Sequence, residues 1–350
     1  MKPQAIDLFA GGGGASCGLN QAGFDVVLAI EKDKTIAAVH HQNHLLTNLN
    51  IEDVRNFDFR PYSGIYHIHG SPPCQAFSVA TSTEAKKKRL AKGEGDLILE
   101  WVRAIKETRP RTASMENVRG AAKSLGFRQA CQKLWELGYW LNWEVLNAAD
   151  FGVPQTRKRL FLRAIRDDAL GQLPIDRAQQ TLFGEKYWWG MVPIAHRWIG
   201  WYEAIADLIP ILPPTEPAPW QIKRLPEELK SYLIPDGNQT NPRDKNGTCC
   251  YLVPRVGANS RGDLAIREKK QPAPTIRALG HDRHWRQFDA WLENGTFRQL
   301  TPRALARLQS FPDSFKLPET NWLAGKIVGN AVPPLMLKKL VEEFARTHYT

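Results

Sequence analysis

Several features that define common protein classes are missing from this chain of 350 residues. Its five cysteines are an odd number without a Cys-x-x-Cys pair, which argues against a disulfide framework and a cysteine-type zinc site. No apolar run reaches the roughly 18 residues that span a membrane. The N-terminus lacks the apolar core and cleavage site of a signal peptide, and no internal repeat or low-complexity tail is present. We therefore expect a cytoplasmic globular protein with no metal and no membrane partner.

Acidic residues are outnumbered: 36 Asp and Glu stand against 47 Lys and Arg, for a formal net charge of +11. A basic surface favours a polyanionic partner such as nucleic acid. Because many basic proteins bind no nucleic acid, charge alone identifies no function.

The first half of the chain alternates strand-like and helix-like segments. The predicted strands are "AIDLF" (5–9), "DVVLAIE" (25–31), "YHIHG" (66–70), "TASMENV" (112–118), "LNWEVLNA" and "RLFLRAI" (159–165). The predicted helices are 15–22, "KTIAAVHHQN", 96–108 and 127–138, the last closed by Gly138. Such alternation predicts an α/β fold with a doubly wound, mostly parallel sheet. Ligands of such sheets bind beyond the carboxyl ends of the strands.

The composition of the chain changes after about residue 170: prolines are clustered there, and eight of the twelve tryptophans lie beyond residue 187. We predict a first domain of residues 1–175 plus 326–350, a smaller irregular second domain of 176–300, and a hinge or bridging segment of 301–325. A helix is expected within 301–312, and a Gly-Asn turn followed by an amphipathic helix at the end of the chain.

A glycine-rich loop, "DLFAGGGGASCGLNQAGF" (7–24), joins the first strand to the first helix. Such a loop lets the backbone approach a ligand at a helix N-terminus. The dinucleotide fingerprint G-x-G-x-x-G fails, because its last position is Ser16 counted from Gly11 and Cys17 counted from Gly12. This weakens a nicotinamide oxidoreductase as an alternative. Glu31, at the end of the second strand, can accept hydrogen bonds from ribose hydroxyls or be an ordinary surface charge.

Cys74 lies in "GSPPCQAFS" (70–78), directly after a predicted strand. Proline fixes its own φ and restricts the residue before it, so the thiol is expected on a stiff loop where ligands bind. Burial as a small apolar side chain is the commoner fate of cysteine, but such a role does not need two prolines.

Two further motifs carry charged groups. Glu116 in "MENV" ends a strand with an apolar interior, where burial can tune a carboxyl for proton sharing; a solvated or capping glutamate is the alternative. In "QTRKRLF", alternation along a strand predicts Arg157 and Arg159 on one face, which suits an acceptor-rich ligand or a solvated strand edge.

Taken together and in this order, the motifs closely resemble those of the cytosine-5 DNA methyltransferase family. The resemblance covers nearly the whole chain apart from about 176–295. Two more motifs extend it, "RQLTPRALARLQSFPDSF" (298–315) and "GNAVPP" (329–334). The order of the PCQ, ENV, QxRxR and GN motifs is far more specific than any one of them.

The resemblance implies transfer of a methyl group from S-adenosylmethionine to carbon-5 of cytosine. Cys74 would attack carbon-6 as a thiolate, making carbon-5 nucleophilic. Glu116 would bond ring nitrogen 3 and the exocyclic amine, and Arg159 the carbonyl oxygen at carbon-2, with Arg157 nearby. The cytosine would be flipped out of the duplex to reach Cys74.

The resemblance also implies a cofactor pocket. Phe9 would stack on adenine, Glu31 would hold the ribose, and Asp53 would accept from the adenine amine. The remaining predicted pocket residues are Pro73, Leu97, Gly11, Gly13, Asn330 and Val332, the last four around the methionine end.

The predicted 176–300 domain would be a target-recognition domain, in which "PTIRALGHDRHWRQF" (274–288) is a candidate DNA-reading surface. The basic segment 79–95, with Lys86–Arg89, is a candidate lid over the flipped base, or a solvated loop. We expect double-stranded DNA as substrate, a monomer on DNA, and a place in a bacterial or phage restriction-modification system with a separate endonuclease. An RNA cytosine-5 methyltransferase is one alternative. A DNA-binding protein without catalysis is another, disfavoured because Cys74, Glu116, Arg157 and Arg159 are all present.

Overall fold

The computed structural model describes residues 1–73, 97–172, 177–182, 184–189, 194–195, 197–230, 250–255, 265–278 and 286–346. Cys74, the candidate lid and residues 279–285 of the candidate DNA-reading surface lie outside these ranges. The chain divides into two compact units. Unit 1 comprises Met1–Asn147, Lys158–Ile194 and Val332–Thr350, and unit 2 comprises Ala148–Arg157 and Ala195–Ala331.

Unit 1 contains a nine-stranded sheet. Its strands are β1 (Gln4–Leu8), β2 (Asp25–Ile30), β3 (Asn48–Asn50), β4 (His67–Gly70), β5 (Thr112–Val118), β6 (Tyr139–Asn147), β7 (Lys158–Arg166), β8 (Arg177–Gln180) and β9 (Lys186–Trp189). Their order is β3-β2-β1-β4-β5-β7-β6-β9-β8. The first five in this order are parallel, and β7 is antiparallel to both of its neighbours. The carboxyl ends of β1, β2, β4 and β5 therefore meet at one edge.

Five helices of the described part accompany this sheet. They are α1 (Gly14–Ala22), α2 (Lys34–Asn43), α3 (Leu97–Thr108), α4 (Leu125–Glu136) and α10 (Pro334–Arg346). Short 3₁₀ turns lie at Val54–Asn56, Arg60–Tyr62, Arg119–Lys123 and Asp167–Gln172. The spacing of apolar residues along α3 and α4 makes one face of each helix a core surface.

The two faces of the sheet differ in chemistry. On one face, alternate residues of the strands, such as Ile68 and Met115, pack with α3 and α4 into one large apolar core. The residues between them point to the opposite face, because side chains alternate along a strand. This second face carries buried polar groups, including Asp7, His69 and Ser114.

Helices α1 and α10 pack on each other and contribute to the cover of the polar face. A Cβ on Gly18 of α1 would lie only 2.7 Å from the carbonyl oxygen of Pro334, so the two backbones need this close approach. Phe24 after α1 and Phe344 of α10 place their rings 4.9 and 5.9 Å from the His67 ring. Two aromatic rings thus pack against His67 on the polar face.

Unit 2 contains a five-stranded antiparallel sheet. Its strands are β10 (Pro214–Thr215), β11 (Tyr251–Pro254), β12 (Arg267–Glu268), β13 (Phe288–Trp291) and β14 (Phe297–Gln299), in the order β10-β14-β13-β11-β12. Its helices are α5 (Trp201–Ile205), α6 (Pro219–Arg224), α7 (Glu227–Lys230), α8 (Pro302–Leu308) and α9 (Asn321–Asn330), with 3₁₀ turns at Ala148–Phe151 and Ile209–Ile211. Trp291, Phe297 and Tyr251 form the centre of one apolar cluster.

The predicted α/β class, with a mostly parallel sheet and a smaller second part, is confirmed. The strand 112–118 and the helix 34–43 have the predicted bounds. Three strands of the large sheet were not predicted: β3, and the pair β8 and β9, which extends this sheet although the sequence placed it in the second domain. The five strands of unit 2 were not predicted either, because that part of the chain was expected to be irregular. The predicted Gly-Asn turn is also different, since Gly329 and Asn330 form the last turn of α9. The functional roles of the predicted domains stay predictions.

Candidate active site

The glycine loop turns sharply between β1 and α1. Phe9, Gly11 and Gly13 have φ angles of 60°, 55° and 98°, in the left-handed region that favours glycine. Phe9 is a non-glycine residue there, a conformation found at few positions. The loop therefore fixes the backbone of Phe9, and with it the place of its half-buried ring. The start of the loop is held at two points: the amide of Ala10 donates to the carbonyl of Ile30, and the carbonyl of Leu8 accepts from the amide of Ser71.

Glu31 directly follows β2 and holds this loop. Its Oε2 accepts from the amide of Gly11 at 3.0 Å, and its Oε1 accepts from the amide of Asp33 at 2.8 Å. Each carboxylate oxygen has a second lone pair, and the side chain is half-buried. Glu31 is thus preoriented to accept further hydrogen bonds, as the interpretation of a ribose ligand requires.

A buried polar cluster lies behind the loop. Ser16 donates to Asp7 Oδ2 at 2.6 Å, and its Oγ is 2.9 Å from His40 Nε2. The ring of His44 is tilted by 43° against that of His40, with the ring centroids 4.7 Å apart, and its Nε2 lies 3.1 Å from the carbonyl oxygen of Gly13. Burial, reinforced by His44 and His41, lowers the pKa of His40 to about 3, and burial also lowers that of His44. Both imidazoles are therefore neutral near pH 7.

Three other predicted cofactor residues have distinct environments. Asp53 caps the 3₁₀ turn and accepts two hydrogen bonds from the Arg55 guanidinium, at 2.9 and 2.6 Å. These side-chain hydrogen bonds are the main reason that the pKa of Asp53 falls to about 2. Leu97 is buried at the start of α3, whereas Pro73 is exposed.

Glu116 and Arg159 form an ion pair at the ends of β5 and β7. Arg159 Nε is 2.9 Å from Glu116 Oε1, and both side chains are largely buried. The antiparallel register pairs Val118 with Arg159, so Glu116 is the diagonal neighbour that a long side chain reaches. Beside them, Asn117 donates from Nδ2 to the carbonyl of Pro72 at 3.2 Å. This bond joins the end of β5 to the segment leading to Cys74.

Arg157 does not lie in the predicted strand, because β7 begins at Lys158. The argument from strand alternation therefore fails for Arg157 and holds only from Arg159 onward. Its buried guanidinium donates to the carbonyls of Ile276, Gly329 and Ala331 within unit 2, at 2.7 to 3.1 Å. Backbone carbonyls thus use much of its donor capacity.

The last two cofactor candidates flank a unit boundary. Asn330 is exposed at the end of α9 in unit 2, and Val332 is buried at the start of the final segment of unit 1. Within unit 1 the structure brings Phe9, Gly11 and Glu31 together at one point, and Glu116 and Arg159 at another. Two residues that the motifs did not single out, His69 and Ser71, lie at the carboxyl end of β4.

Across the described residues, no group of His, Cys, Asp and Glu side chains has the arrangement of a metal site. No helix of this described part is long and apolar enough to cross a membrane.

These features define a class of protein. The chain has an α/β fold with a glycine-rich loop at the ends of β1 and β2 and a charged pair at the ends of β5 and β7. More particularly, it belongs to the C-5 cytosine-specific DNA methylase family, whose model matches residues 4–346. It is a DNA (cytosine-5) methyltransferase by family, and the S-adenosylmethionine dependence of that family applies to it.

Comparison with individual proteins agrees with this membership. The chain is 28% identical to the type II methyltransferase M.FnuDI of Fusobacterium nucleatum, over 94% of this chain and 90% of the relative. It is also 28% identical to the type II methyltransferase M.NgoPII of Neisseria gonorrhoeae, over 98% and 95%. The crystal structure of a mutant of DNMT2 from Spodoptera frugiperda shares the fold, with a TM-score of 0.62 and 15% identity over 97% and 99% of the two chains.

Proposed function

We propose that this enzyme methylates a flipped cytosine in double-stranded DNA through a covalent Cys74 adduct. The observation that carries the proposal is the Glu116–Arg159 pair, which sits at the carboxyl end of the sheet beside the segment that leads to Cys74. A donor-acceptor ring such as cytosine offers complementary groups to a carboxyl and a guanidinium.

The three cysteines in the described part of the chain support the choice of Cys74. Only a thiolate is a competent nucleophile. Cys17 and Cys131 are buried, and burial raises the pKa of each thiol to about 12. Cys250 is buried as well. These three buried thiols are therefore poor nucleophiles, whereas Cys74 directly follows Pro72 and Pro73 in the sequence.

The reaction forms and breaks bonds in a defined order. The Cys74 thiolate adds to carbon-6 of cytosine, and the ring electron pair moves to make carbon-5 nucleophilic. The carboxyl of Glu116 shares a proton with ring nitrogen 3 and accepts from the exocyclic amine, so that the protonated ring takes up the developing negative charge, and Arg159 donates to the carbonyl oxygen at carbon-2. After carbon-5 has gained the methyl group, water removes its proton, and the pair re-forms the double bond as the thiolate leaves.

The cofactor residues of unit 1 fit S-adenosylmethionine. Glu31 is oriented as an acceptor for ribose hydroxyls, and the half-buried Phe9 ring is available to stack on an adenine. When bound, this cofactor supplies the methyl group. Asp53 can still accept from an adenine amine through the lone pair of Oδ2 that Arg55 does not use.

Other predicted parts of the pocket rest on the resemblance alone. Leu97 and Pro73 would line it, and Gly13, Asn330 and Val332 would surround the methionine end together with Gly11. The role of Arg157 beside the base is supported only by its place in the motif. DNA reading by the predicted 176–300 domain rests on the motif order.

The biological setting is proposed from the relatives. Type II methyltransferases are named among them, so we place this enzyme in a restriction-modification system, with a separate endonuclease of matching specificity. We further propose that it acts on DNA as a monomer, with the base flipped into the site because a stacked cytosine is out of reach.

Transfer of a labelled methyl group from S-adenosylmethionine to DNA and to RNA tests the substrate. DNA containing 5-fluorocytosine tests the covalent step, since fluorine blocks proton removal and leaves the enzyme attached. Cys74→Ala should abolish both signals, while the matched control Cys131→Ala, a buried cysteine on α4, should retain them. Transfer only to RNA, or an adduct that persists in Cys74→Ala, would refute the proposal.

A further inference from the structure

A ladder of buried polar side chains runs along β4 and β5 toward the active site. We call it the His–Ser ladder and define it as Thr112, His67, Ser114, His69 and Ser71. All but Ser71 are fully buried. The parallel register pairs His67 with Thr112 and His69 with Ser114, so all of them lie on the polar face of the sheet.

Four hydrogen bonds connect the ladder without a gap. Nδ1 of His67 is 2.8 Å from Oγ1 of Thr112, and its Nε2 is 2.9 Å from Oγ of Ser114. The same Ser114 oxygen is 2.8 Å from Nδ1 of His69, whose Nε2 is 2.9 Å from Oγ of Ser71. Each ring therefore uses both of its nitrogens inside the ladder.

Both rings are neutral, because burial lowers the pKa of His69 to about 3 and holds the pKa of His67 well below its usual value. A neutral imidazole has one N–H donor and one acceptor nitrogen. When the Ser114 hydroxyl donates to one ring, the other ring must donate to it. The hydrogens of the ladder then all point the same way, and the state of His69 decides whether Ser71 accepts or donates.

The outer end of the ladder is close in sequence to the proposed catalytic groups. Ser71 follows β4 and precedes Cys74 by three residues, with only Pro72 and Pro73 between them. Two prolines leave little backbone freedom, so the orientation of Ser71 is passed on along the chain. Glu116 follows Ser114 by two residues on the same face of β5.

We propose that His69 and Ser71 are positioning residues for methyl transfer, which hold the segment bearing Cys74 in register with Glu116. This inference rests on the proposed role of Cys74. In this segment the sequence motifs assigned roles only to Cys74 and its prolines. The ladder consists of residues that the pairing of β4 with β5 brings together.

The chemistry of amide side chains gives a sharp test. The amide of glutamine reaches the position of Nε2 of a histidine, and that of asparagine the position of Nδ1. His69→Gln therefore keeps the link to Ser71, and His69→Asn keeps only the link to Ser114. We expect single-turnover methyl transfer by His69→Asn to be slower by roughly tenfold or more than by His69→Gln, with unchanged KM for S-adenosylmethionine. Equal rates for the two variants would overturn the proposal.

A second pair covers the case in which His69 variants fold poorly. Ser71→Ala should slow single-turnover transfer by roughly tenfold, and Ser71→Thr, which restores the hydroxyl, should recover it. Thr108→Val is the matched control, because it removes a buried hydroxyl bonded to the Ala104 carbonyl on α3, away from the ladder. It should lower thermal stability without slowing transfer. A normal rate in Ser71→Ala would refute the inference.

The same experiment separates this inference from the proposed function. Wild-type enzyme that forms no adduct with 5-fluorocytosine DNA would refute the role of Cys74. Wild-type enzyme that forms it, alongside His69→Asn and Ser71→Ala at the wild-type rate, would leave that role intact and remove only the positioning role of the ladder.

Discussion

Asp7 gives the structure a quantitative test, because its carboxyl is fully buried behind the glycine loop. Burial raises its pKa from the usual 3.8 to about 7, although hydrogen bonds from the side chain and backbone of Ser16 oppose the rise and the charge of Glu31 adds to it. A carboxyl with a raised pKa contributes stability that is complete below the unfolded-state pKa. That stability is lost as the pH rises through the folded-state pKa.

The shift predicts a large effect of Asp7 on stability. The pKa of Asp7 rises from 3.8 to about 7, and each tenfold change in acidity corresponds to about 1.4 kcal/mol. Full ionisation of Asp7 therefore lowers the free energy of unfolding by about 4 kcal/mol. Most of the loss falls between about pH 4 and about pH 7. Asp7→Asn removes the titration but keeps an oxygen for the Ser16 hydroxyl. The new amide changes the free energy of unfolding by an amount that does not depend on pH. The test is therefore the slope of the stability difference between variant and wild type against pH.

Urea unfolding of wild-type protein and Asp7→Asn, at several values from about pH 5 to about pH 8, measures this slope. The stability of the variant relative to wild type should rise by about 3 kcal/mol across that range. Asp25→Asn, at an exposed position on β2, is the matched control for the loss of a carboxylate that is not buried, and it should not reproduce the rise expected for Asp7→Asn. A constant or falling difference for Asp7→Asn would show that the carboxyl is already ionised when buried.

Three other changes test the site and its supports. Glu116→Gln removes the charge 2.9 Å from the Arg159 guanidinium and should slow single-turnover methyl transfer by roughly a hundredfold, whereas a normal rate would exclude Glu116 from the chemistry. Gly70→Ala places a Cβ 2.4 Å from Cδ1 of Trp101 and should lower the free energy of unfolding, measured in urea, by about 1–3 kcal/mol. The double variant with Trp101→Leu should regain part of this loss, and purely additive effects of the two substitutions would contradict the clash. Arg157→Met removes a guanidinium bonded to three carbonyls, so the thermal midpoint should fall by several degrees; an unchanged midpoint would contradict this role.

Local patterns predicted most of the elements of unit 1. Apolar periodicity indicated α3, and the strand 112–118 is bounded by polar residues that mark its ends. β3 was missed because it has only three residues, of which only Leu49 is apolar. The pair β8 and β9 was missed because its residues alternate poorly and the nearby prolines suggested a new domain.

Pairings between distant segments could not be predicted from such patterns. The ion pair of Glu116 with Arg159 depends on the antiparallel register of β5 and β7, which no local spacing encodes. The same is true of the His–Ser ladder, whose two strands are separated by more than 40 residues in sequence. Arg157 shows the converse error: local alternation suggested a strand position, but its backbone belongs to the turn before β7.

The register of β5 ties the stability of the sheet to its chemistry. Gly70 pairs with Met115, so Ser71 and Glu116 are the next residues along their strands. Met115 is fully buried in the apolar core with α3 and α4, and a slip of one residue would exchange it with Glu116. The apolar face therefore fixes the register, and the register in turn directs the Glu116 carboxylate to the face that holds Arg159. Selection for a well-packed core at Met115 thus also preserves the position of the proposed catalytic carboxylate.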